Sequence, residues 1–172
     1  MDPITQSVVV ARPAVEVFDY LADIANHPEF LDHFASEWHL TREDSYGRGA
    51  GIRYRVQQRG NRFPWVDQAI VEFERPARIV LAGNGGKYNR VATTTTYELS
   101  SDSHDSTKVT VTFVTEPRYP SDRLHDRAGF YRRRLAKATG RLQTILEDGK
   151  GRGRRASIAG GARKPATDTP LR

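Results

Sequence analysis

The stretch VFDYLADIANHPEFLDHF, residues 17–34, contains the signal that decides the fold. Its first half places Phe18 and Leu21 on one face at helical spacing, which predicts an amphipathic helix. Pro28 ends that helix, because the residue before a proline is disfavoured in the helical region. Asn26 can then cap a second short helix, so the stretch predicts two short helices in succession.

Three histidines spaced by six residues, His27, His33 and His39, raise the alternative of a metal site. Six residues along a helix correspond to a rotation of about 600°, so His27 and His33 would lie on different faces of a single helix. Zinc ligands usually have tighter spacing and a fixed outer layer of hydrogen bonds. We therefore predict no metal site and place the histidines at a surface turn, with Phe30 and Phe34 as core or cavity-floor residues.

Strand-like segments surround the two helices. One precedes them at residues 4–13, and the others follow at residues 37–43, 51–58, 64–75, 78–83, 87–100 and 107–115. Several of these segments alternate apolar and polar side chains, which is typical of strands with one buried face. Clusters of Gly, Asn, Asp and Ser separate them, and one cluster, GNGGKY at residues 83–88, is predicted as a hairpin turn. The pattern predicts a meander of antiparallel strands.

A long helix is the last predicted element, and it runs from Pro120 to Asp148. Ser121 is the predicted N-cap, and Gly149 supplies the C-terminal stop. Apolar residues recur at steps of three and four over about 26 residues, or about 40 Å. This stripe contains Leu124, Ala128, Tyr131, Leu135, Ala138, Leu142 and Ile145. We predict that the stripe packs on the sheet.

The opening run ARPAVEVFDYLADIANHPEF, residues 11–30, resembles the start of the polyketide cyclase/dehydrase-type members of the START-like, Bet v 1-like superfamily. In that group a first strand leads through a proline into a helix pair of this pattern. The resemblance covers residues 4–148. It implies an α+β helix-grip fold, with a curved antiparallel sheet of about seven strands, two short helices and a long C-terminal helix packed across the sheet. It also implies a cavity between the sheet and the long helix.

The chain has 172 residues and no Cys, which excludes disulfides, thiolate metal sites and a cysteine nucleophile. No apolar stretch approaches the ~20 residues needed to span a bilayer, so we expect a soluble, cytoplasmic protein. The net charge of +6 lies in residues 149–172, which hold seven basic residues and one acidic residue. Residues 1–148 are therefore neutral, and a basic nucleic-acid-binding surface is not expected of the folded part.

The sequence divides into a helix-grip domain at residues 1–148 and a basic tail at residues 149–172. The tail is rich in Gly, Ala, Arg and Pro and has few large apolar side chains, so we predict that it is disordered. It can make weak contacts with anionic surfaces, although a solvated extension is the favoured interpretation. Ser157 follows two arginines in the run RRAS, a pattern that basophilic kinases accept.

The expected cavity wall consists of inward strand positions and the apolar stripe of the long helix. Its predicted ligand-binding residues are Trp38, Tyr54, Trp65, Asp67, Phe73, Thr93, Thr95, Tyr97, Phe113, Tyr131 and Leu135. A mostly apolar wall with a few polar groups is typical of sites for small organic molecules. The alternative is an ordinary packed core.

Asp67 is the weak candidate for a catalytic residue. Strand alternation predicts that it faces inward between Trp65 and Ala69, where a carboxylate is costly unless it is paired or protonated. It could orient a ligand or act as a general base with a pKa raised by burial. It could instead pair with an arginine such as Arg53, or a bulge near Pro64 could turn it outward.

Three functions are compatible with these features. The first is binding of a small hydrophobic or aromatic ligand, lipid-like or polyketide-like, in the cavity. The alternative is an enzyme of the polyketide cyclase/dehydratase kind, in which Asp67 and a tyrosine hydroxyl move protons. A second alternative, implied by the resemblance, is a co-chaperone-like protein-interaction domain. No cofactor, metal or specific nucleic-acid partner is expected.

Overall fold

The computed structural model describes residues 2–103, 105–119 and 129–158, together with the backbone of residues 162 and 163. Its helices are α1 (Ala14–Ala22), α2 (His27–Leu31) and α3 (Phe130–Asp148). Its strands are β1 (Ile4–Val10), β2 (Ala35–Leu40), β3 (Gly51–Val56), β4 (Trp65–Glu74), β5 (Arg78–Gly85), β6 (Val91–Ser103), β7 (Ser106–Pro117), β8 (Arg155–Ala156) and β9 (Ala162–Arg163). Short 3-10 turns at Ile24–Asn26 and Lys87–Asn89 precede α2 and β6.

Strands β1 to β7 form one antiparallel sheet in the order β1-β7-β6-β5-β4-β3-β2. Strands β2 to β7 follow one another as a meander, and β1 pairs with β7, so β1 and β2 are the two edges. The sheet curls, and α3 lies along β1 and contacts α2. The predicted α+β helix-grip fold is confirmed.

Two short helices form as predicted, but the break between them lies at Asp23 rather than at Pro28, and their capping differs. Helix α1 ends at Ala22, and the chain passes through the 3-10 turn before α2 begins. Asn26 occupies the N-cap position of α2 but makes no capping bond there. Its side-chain amide instead donates to the carbonyl of Tyr20 at 2.9 Å, which ties α2 to α1. The carboxylate of Asp23 accepts from the Ala25 N–H at 3.2 Å and caps the 3-10 turn.

The core lies between the helices and the inner face of the sheet. Phe18 and Leu21 from α1 are fully buried, as are Ile52 from β3 and Ile79 from β5. Each such side chain contributes about 1.5–3 kcal/mol through removal of apolar surface from water. The apolar positions of the opening stretch therefore act as core residues, as the pattern predicts.

Helix α3, as described, begins at Phe130 and buries Leu142 and Ile145, which belong to the predicted stripe. The earlier part of the predicted helix, residues 120–128, lies outside the described residues, and so does the predicted N-cap Ser121. Within the described part of the chain, no helix is long and apolar enough to cross a bilayer.

The first half of β4 faces the opposite way to the prediction. Asp67 lies directly across from Arg53 of β3, and Trp65 lies across from Arg55. Directly opposed residues share one face of a sheet, and both arginines are exposed on the outer face. The prediction that Trp65 and Asp67 face the cavity is therefore wrong, and Gln68 occupies the inward position.

A bulge between Ile70 and Glu72 explains this difference. A bulge inserts one residue into a strand, so the alternation changes phase there. Phe73, beyond the bulge, packs against Phe18 of the core, with ring centroids 5.1 Å apart. A prediction that continues the same inward–outward alternation from Phe73 back through the bulge therefore assigns the wrong face to the residues before it.

Residues 149–158 pack against the domain, which differs from the predicted disorder of the tail. Gly149 ends α3 in a left-handed conformation. Strand β8 then contacts α2 and the 3-10 turn before it. The backbone N–H of Leu40 donates to the carbonyl of Ser157 at 3.1 Å, so this segment adds to the edge of β2.

Pairing with acidic side chains explains why the segment docks. Arg155 binds the carboxylate of Asp23, and the charges of Arg152 and Arg155 both act on the buried Glu29. The amino-acid composition of a segment indicates how much apolar surface it can bury. It does not show whether its charged side chains have specific partners in the folded domain. Ser157 is only 8% exposed, so a kinase could reach it only after the segment left the domain. The boundary between domain and tail remains a prediction.

Candidate functional site

An inner cavity lies between the sheet and α3, with a volume of about 60 Å³. Its wall draws residues from α2, α3, and strands β2 to β7. The lining residues are His27, Leu31, Phe34, Trp38, Ile52, Tyr54, Val56, Val66, Gln68, Leu81, Thr93, Thr95, Tyr97, Phe113, Tyr131 and Leu135. Most of these side chains are apolar or aromatic, and Trp38 stacks on Tyr54 with ring centroids 4.5 Å apart. None of the described lining residues is an Asp or Glu.

A small polar cluster interrupts this apolar wall. The Tyr54 hydroxyl donates to the side-chain oxygen of Gln68 at 3.2 Å. The Gln68 amide nitrogen donates to the hydroxyls of Thr93 and Thr95, at 3.2 and 3.3 Å. Burial raises the pKa of Tyr54 well above its ordinary value, so its hydroxyl stays protonated. The cluster gives the cavity one polar side on three strands, β3, β4 and β6.

His27 belongs to the cavity wall rather than to a surface turn, so that prediction is wrong. The side chain is 2% exposed, and its Nε2 donates to the carbonyl of Leu21 at 2.9 Å. Its ring contacts Phe30 and Tyr97, with centroids 5.4 and 5.8 Å apart. Burial lowers the pKa of His27 to about 4, so the imidazole is neutral near neutral pH.

An outer compartment adjoins the inner cavity, because Val56, Val66, Thr93 and Tyr131 line both. Its volume is about 270 Å³, and it opens at the connection between β5 and β6. We call this compartment the mouth. The two spaces together reach the lower end of the range for small-molecule sites, about 300 Å³.

A second buried polar group, Glu29, lies beside the docked C-terminal segment. Its carboxylate accepts a hydrogen bond from the Tyr20 hydroxyl at 2.7 Å. Burial raises the pKa of Glu29, while the Tyr20 bond and the charges of Arg152 and Arg155 lower it. Part of the energetic cost of burying the Glu29 carboxylate is therefore offset by Arg152 and Arg155, which follow α3 in the chain.

Residues 1–147 match the sequence model of a protein family whose description is 'polyketide cyclase / dehydrase and lipid transport'. The chain belongs to this family. No curated protein shows significant sequence similarity to the chain. The family assignment agrees with the fold and with the presence of a cavity under the long helix.

Several solved structures have the same fold as this polyketide cyclase/dehydrase family member, but their sequence identity to it is low. DynU16, from the dynemicin biosynthetic locus, is 20% identical with a TM-score of 0.60, and the match covers 89% of this chain. The chain spans only 50% of the length of DynU16. TTHA0849 from Thermus thermophilus is 11% identical with a TM-score of 0.67, covering 86% of this chain and 99% of that protein.

Norcoclaurine synthase from Thalictrum flavum, solved in complex with dopamine and hydroxybenzaldehyde, has the same fold. It is 13% identical with a TM-score of 0.60, and the match covers 82% of this chain and 85% of the synthase. At these identities the likeness shows a common fold.

The structure brings eight of the eleven predicted ligand-binding residues of this family member to the inner cavity. These are Trp38, Tyr54, Thr93, Thr95, Tyr97, Phe113, Tyr131 and Leu135. Their role in binding remains a prediction. Trp65 and Asp67 lie on the outer face of the sheet, and Phe73 packs away from the cavity against Phe18 and Tyr46.

Eight further residues line the cavity and are absent from the predicted ligand-binding set: His27, Leu31, Phe34, Ile52, Val56, Val66, Gln68 and Leu81. Of these, Phe34 is predicted as a core or cavity-floor residue. The two β4 residues, Val66 and Gln68, could have been found from the β3–β4 hairpin. Tyr54 faces inward, and a residue opposite an inward residue also faces inward, which assigns Val66 to the cavity.

Replacing Asp67 with Asn tests its position on the outer face. Its carboxylate lies 3.6 Å from the Arg53 Nε, and both side chains are about half exposed. Because exposed ion pairs contribute little, we expect the free energy of unfolding in urea to change by less than about 0.5 kcal/mol. Gln68→Leu is the matched neighbour: it leaves the buried hydroxyls of Tyr54 and Thr93 and the half-buried hydroxyl of Thr95 without this partner, and it should cost about 2 kcal/mol. Equal losses would contradict the assignment of faces.

Proposed function

We propose that the domain binds a small hydrophobic or aromatic molecule, lipid-like or polyketide-like, in the space formed by the inner cavity and the mouth. The observation that carries this proposal is an apolar cavity with one localised polar side. Such a combination provides affinity through apolar contact and orientation through a few hydrogen bonds.

The polar cluster supports recognition of an oxygen-bearing ligand. Gln68 uses its amide nitrogen and its oxygen within the cluster. Thr93 and Thr95 accept hydrogen bonds from Gln68, and each hydroxyl retains a proton that it can donate. A ligand carbonyl or hydroxyl oxygen placed against β6 could accept these protons. The cluster would then orient an otherwise apolar molecule.

The enzyme alternative has weaker support from the geometry. Asp67, the acid–base candidate, lies on the outer face, and the described wall of the inner cavity contains no carboxylate. Among the described lining residues of the inner cavity, proton transfer would have to use His27 or a tyrosine hydroxyl. Burial raises the pKa values of Tyr54 and Tyr97, which suits hydrogen-bond donation better than proton exchange near neutral pH. The norcoclaurine synthase complex with two aromatic molecules supports an aromatic ligand by analogy of fold.

Binding of the neutral aromatic dye N-phenylnaphthylamine (NPN) tests the proposal, because its fluorescence rises in apolar surroundings. We expect saturable binding to the native chain, and we expect Leu135→Trp to weaken it by at least about tenfold, since the indole would fill the cavity. Ala136→Trp is the matched control, because Ala136 is the next residue of α3 and is exposed. It should change the affinity by less than about twofold.

Native mass spectrometry of freshly purified protein would identify a co-purifying small molecule. Release of a bound aromatic or lipid-like compound, lost in Leu135→Trp, supports the proposal. If NPN fails to bind the native chain, or if both tryptophan variants bind it equally well, the cavity proposal is wrong. The protein-interaction alternative would then be favoured.

A further inference from the structure

The Tyr97 hydroxyl is a polar group of the inner cavity with no hydrogen-bond partner among the described residues. The side chain lines the cavity and is only 2% exposed. Burial raises the pKa of Tyr97, and neither a hydrogen bond nor a charge from the described residues contributes to that shift. Buried hydroxyls are nearly always hydrogen-bonded, because an unpaired one loses the bond that it makes to water in the unfolded chain. The Tyr97 proton is therefore available to an acceptor inside the cavity.

The His27 ring presents a second unpaired atom, Nδ1. The Leu21 carbonyl can only accept, so the proton of the neutral imidazole lies on Nε2, which donates to that carbonyl. Nδ1 therefore carries a lone pair and can only accept. The bond to Leu21 is the one hydrogen bond that the described residues make with this ring, which is 2% exposed. Nδ1 therefore lacks a donor within the described part of the chain.

The two unpaired atoms belong to neighbouring rings of the cavity wall. The ring centroids of His27 and Tyr97 are 5.8 Å apart, with an angle of 64° between the ring planes. One ring offers a donor and the other an acceptor, so a single small group that contacts both must itself accept and donate. A hydroxyl does both, whereas a carbonyl or an ether oxygen accepts only.

The charge of the surrounding wall favours a neutral group. The described lining of the inner cavity contains no Lys, Arg, Asp or Glu. An ionised acid would therefore lose its hydration without gaining a counter-charge, and it would meet the lone pair of His27 Nδ1. The wall also presents flat aromatic surface, since Trp38 stacks on Tyr54 within the same lining. A neutral hydroxyl on an aromatic ring fits both features.

We propose that the inner cavity selects a neutral aromatic molecule with a phenolic hydroxyl, which donates to His27 Nδ1 and accepts from the Tyr97 hydroxyl. This inference rests on the proposed function, because it names the ligand class for the same cavity. His27 and Tyr97 are then the residues that determine specificity. Thr95 lies two residues before Tyr97 on the same face of β6, about 7 Å along the strand, and its hydroxyl can donate to a second ligand oxygen.

Three naphthalenes that compete with NPN for the native chain test this selectivity. 2-Naphthol donates and accepts a hydrogen bond, 2-methoxynaphthalene accepts only, and naphthalene does neither. We expect 2-naphthol to displace NPN with an affinity at least about tenfold higher than that of either analogue. The physical reason is that an analogue without the hydroxyl proton leaves His27 Nδ1 buried and unpaired.

Tyr97→Phe removes the donor and keeps the ring. It should lower the affinity for 2-naphthol by at least about fivefold and change that for naphthalene by less than about twofold. The melting temperature of the ligand-free variant should equal or exceed that of the native chain, because the lost hydroxyl has no partner among the described residues.

The matched control is Tyr46→Phe, which removes a hydroxyl from an exposed tyrosine outside the cavity and should keep the native affinities for all three compounds. Equal affinities of the native chain for 2-naphthol and 2-methoxynaphthalene would overturn the inference. An unchanged 2-naphthol affinity in Tyr97→Phe would overturn it too, and so would a clear fall in the melting temperature of that variant, which would reveal a partner within the protein. Failure of the native chain to bind NPN would instead reject the proposed function.

Discussion

A chain that ends at Asp148 should melt about 6–12 °C below one that ends at Ile158, which corresponds to a loss of about 3 kcal/mol. The difference between the two chains is the docked segment. Arg155 from this segment binds Asp23, and Leu40 donates to the carbonyl of Ser157. Ala156 is buried in the core. Removal of these residues leaves Asp23 and Glu29 in the domain without the arginines that interact with them.

The size of the effect follows from the burial of the acidic groups. Removing one partner of a buried ion pair costs about 3–5 kcal/mol. The Arg155 and Asp23 side chains are 34% and 22% exposed, so this pair contributes less than that, and the loss of buried Ala156 adds to it. Glu29 is 1% exposed and loses the favourable charges of Arg152 and Arg155. Its pKa should rise further in the shorter chain, and the deficit in stability should therefore shrink as the pH falls and the carboxyl becomes protonated.

Differential scanning calorimetry of the three chains, ending at Asp148, Ile158 and Arg172, measures this effect. The chain that ends at Ile158 is the reference, because it keeps the docked segment and differs from the shortest chain by that segment alone. Arg155→Ala in the full chain should reproduce part of the loss. Equal melting temperatures for all three chains would show that residues 149–158 do not stabilise the domain.

Lowering the pH from 6.5 to about 4 should cost the domain about 3 kcal/mol through His27 alone. The unfolded chain binds a proton at His27 near the ordinary pKa of 6.5, whereas burial lowers the pKa in the fold to about 4. Between these values the unfolded state holds the proton and the native state does not. The stability linked to His27 is therefore present above 6.5 and is lost as the pH falls through this window.

Urea unfolding at a series of pH values, for the native chain and His27→Gln, isolates this contribution. Glutamine can still donate to the carbonyl of Leu21 but does not titrate. Glu29 acts in the opposite direction, since its raised pKa favours the fold as the pH falls, and His33 shares the direction of His27 because burial also lowers its pKa. Both remain in the variant, so they cancel in the difference. A slope in His27→Gln as steep as in the native chain would contradict the assignment.

The sequence predicts the order of elements well because each signal is local. Pro28 lies in the first turn of α2, and left-handed Gly149 ends α3, without help from distant residues. The cavity-facing residues of β3 and β6 also follow from alternation, since Tyr54 and Thr95 lie on strands with regular pairing on that side. These features need only the spacing of residues along the chain.

The faces of β4 and the fate of the tail depend on distant partners instead. Apolar side chains occur on both faces of β4, so alternation alone does not show that the phase changes after Ile70. The packing of Arg155 depends on Asp23, 132 positions away in the chain. The sequence predicts a surface position for His27 because its hydrogen-bond partner is the backbone carbonyl of Leu21. A backbone partner cannot be recognised from residue types.

The docked segment has a consequence for how this protein is compared with its relatives. The family match ends at residue 147, but the cations that compensate Glu29 and Asp23 come later in the chain. The docked segment therefore lies outside the region that the family model matches. A chain trimmed to the matched region would keep the two acids and lose the cations that compensate them.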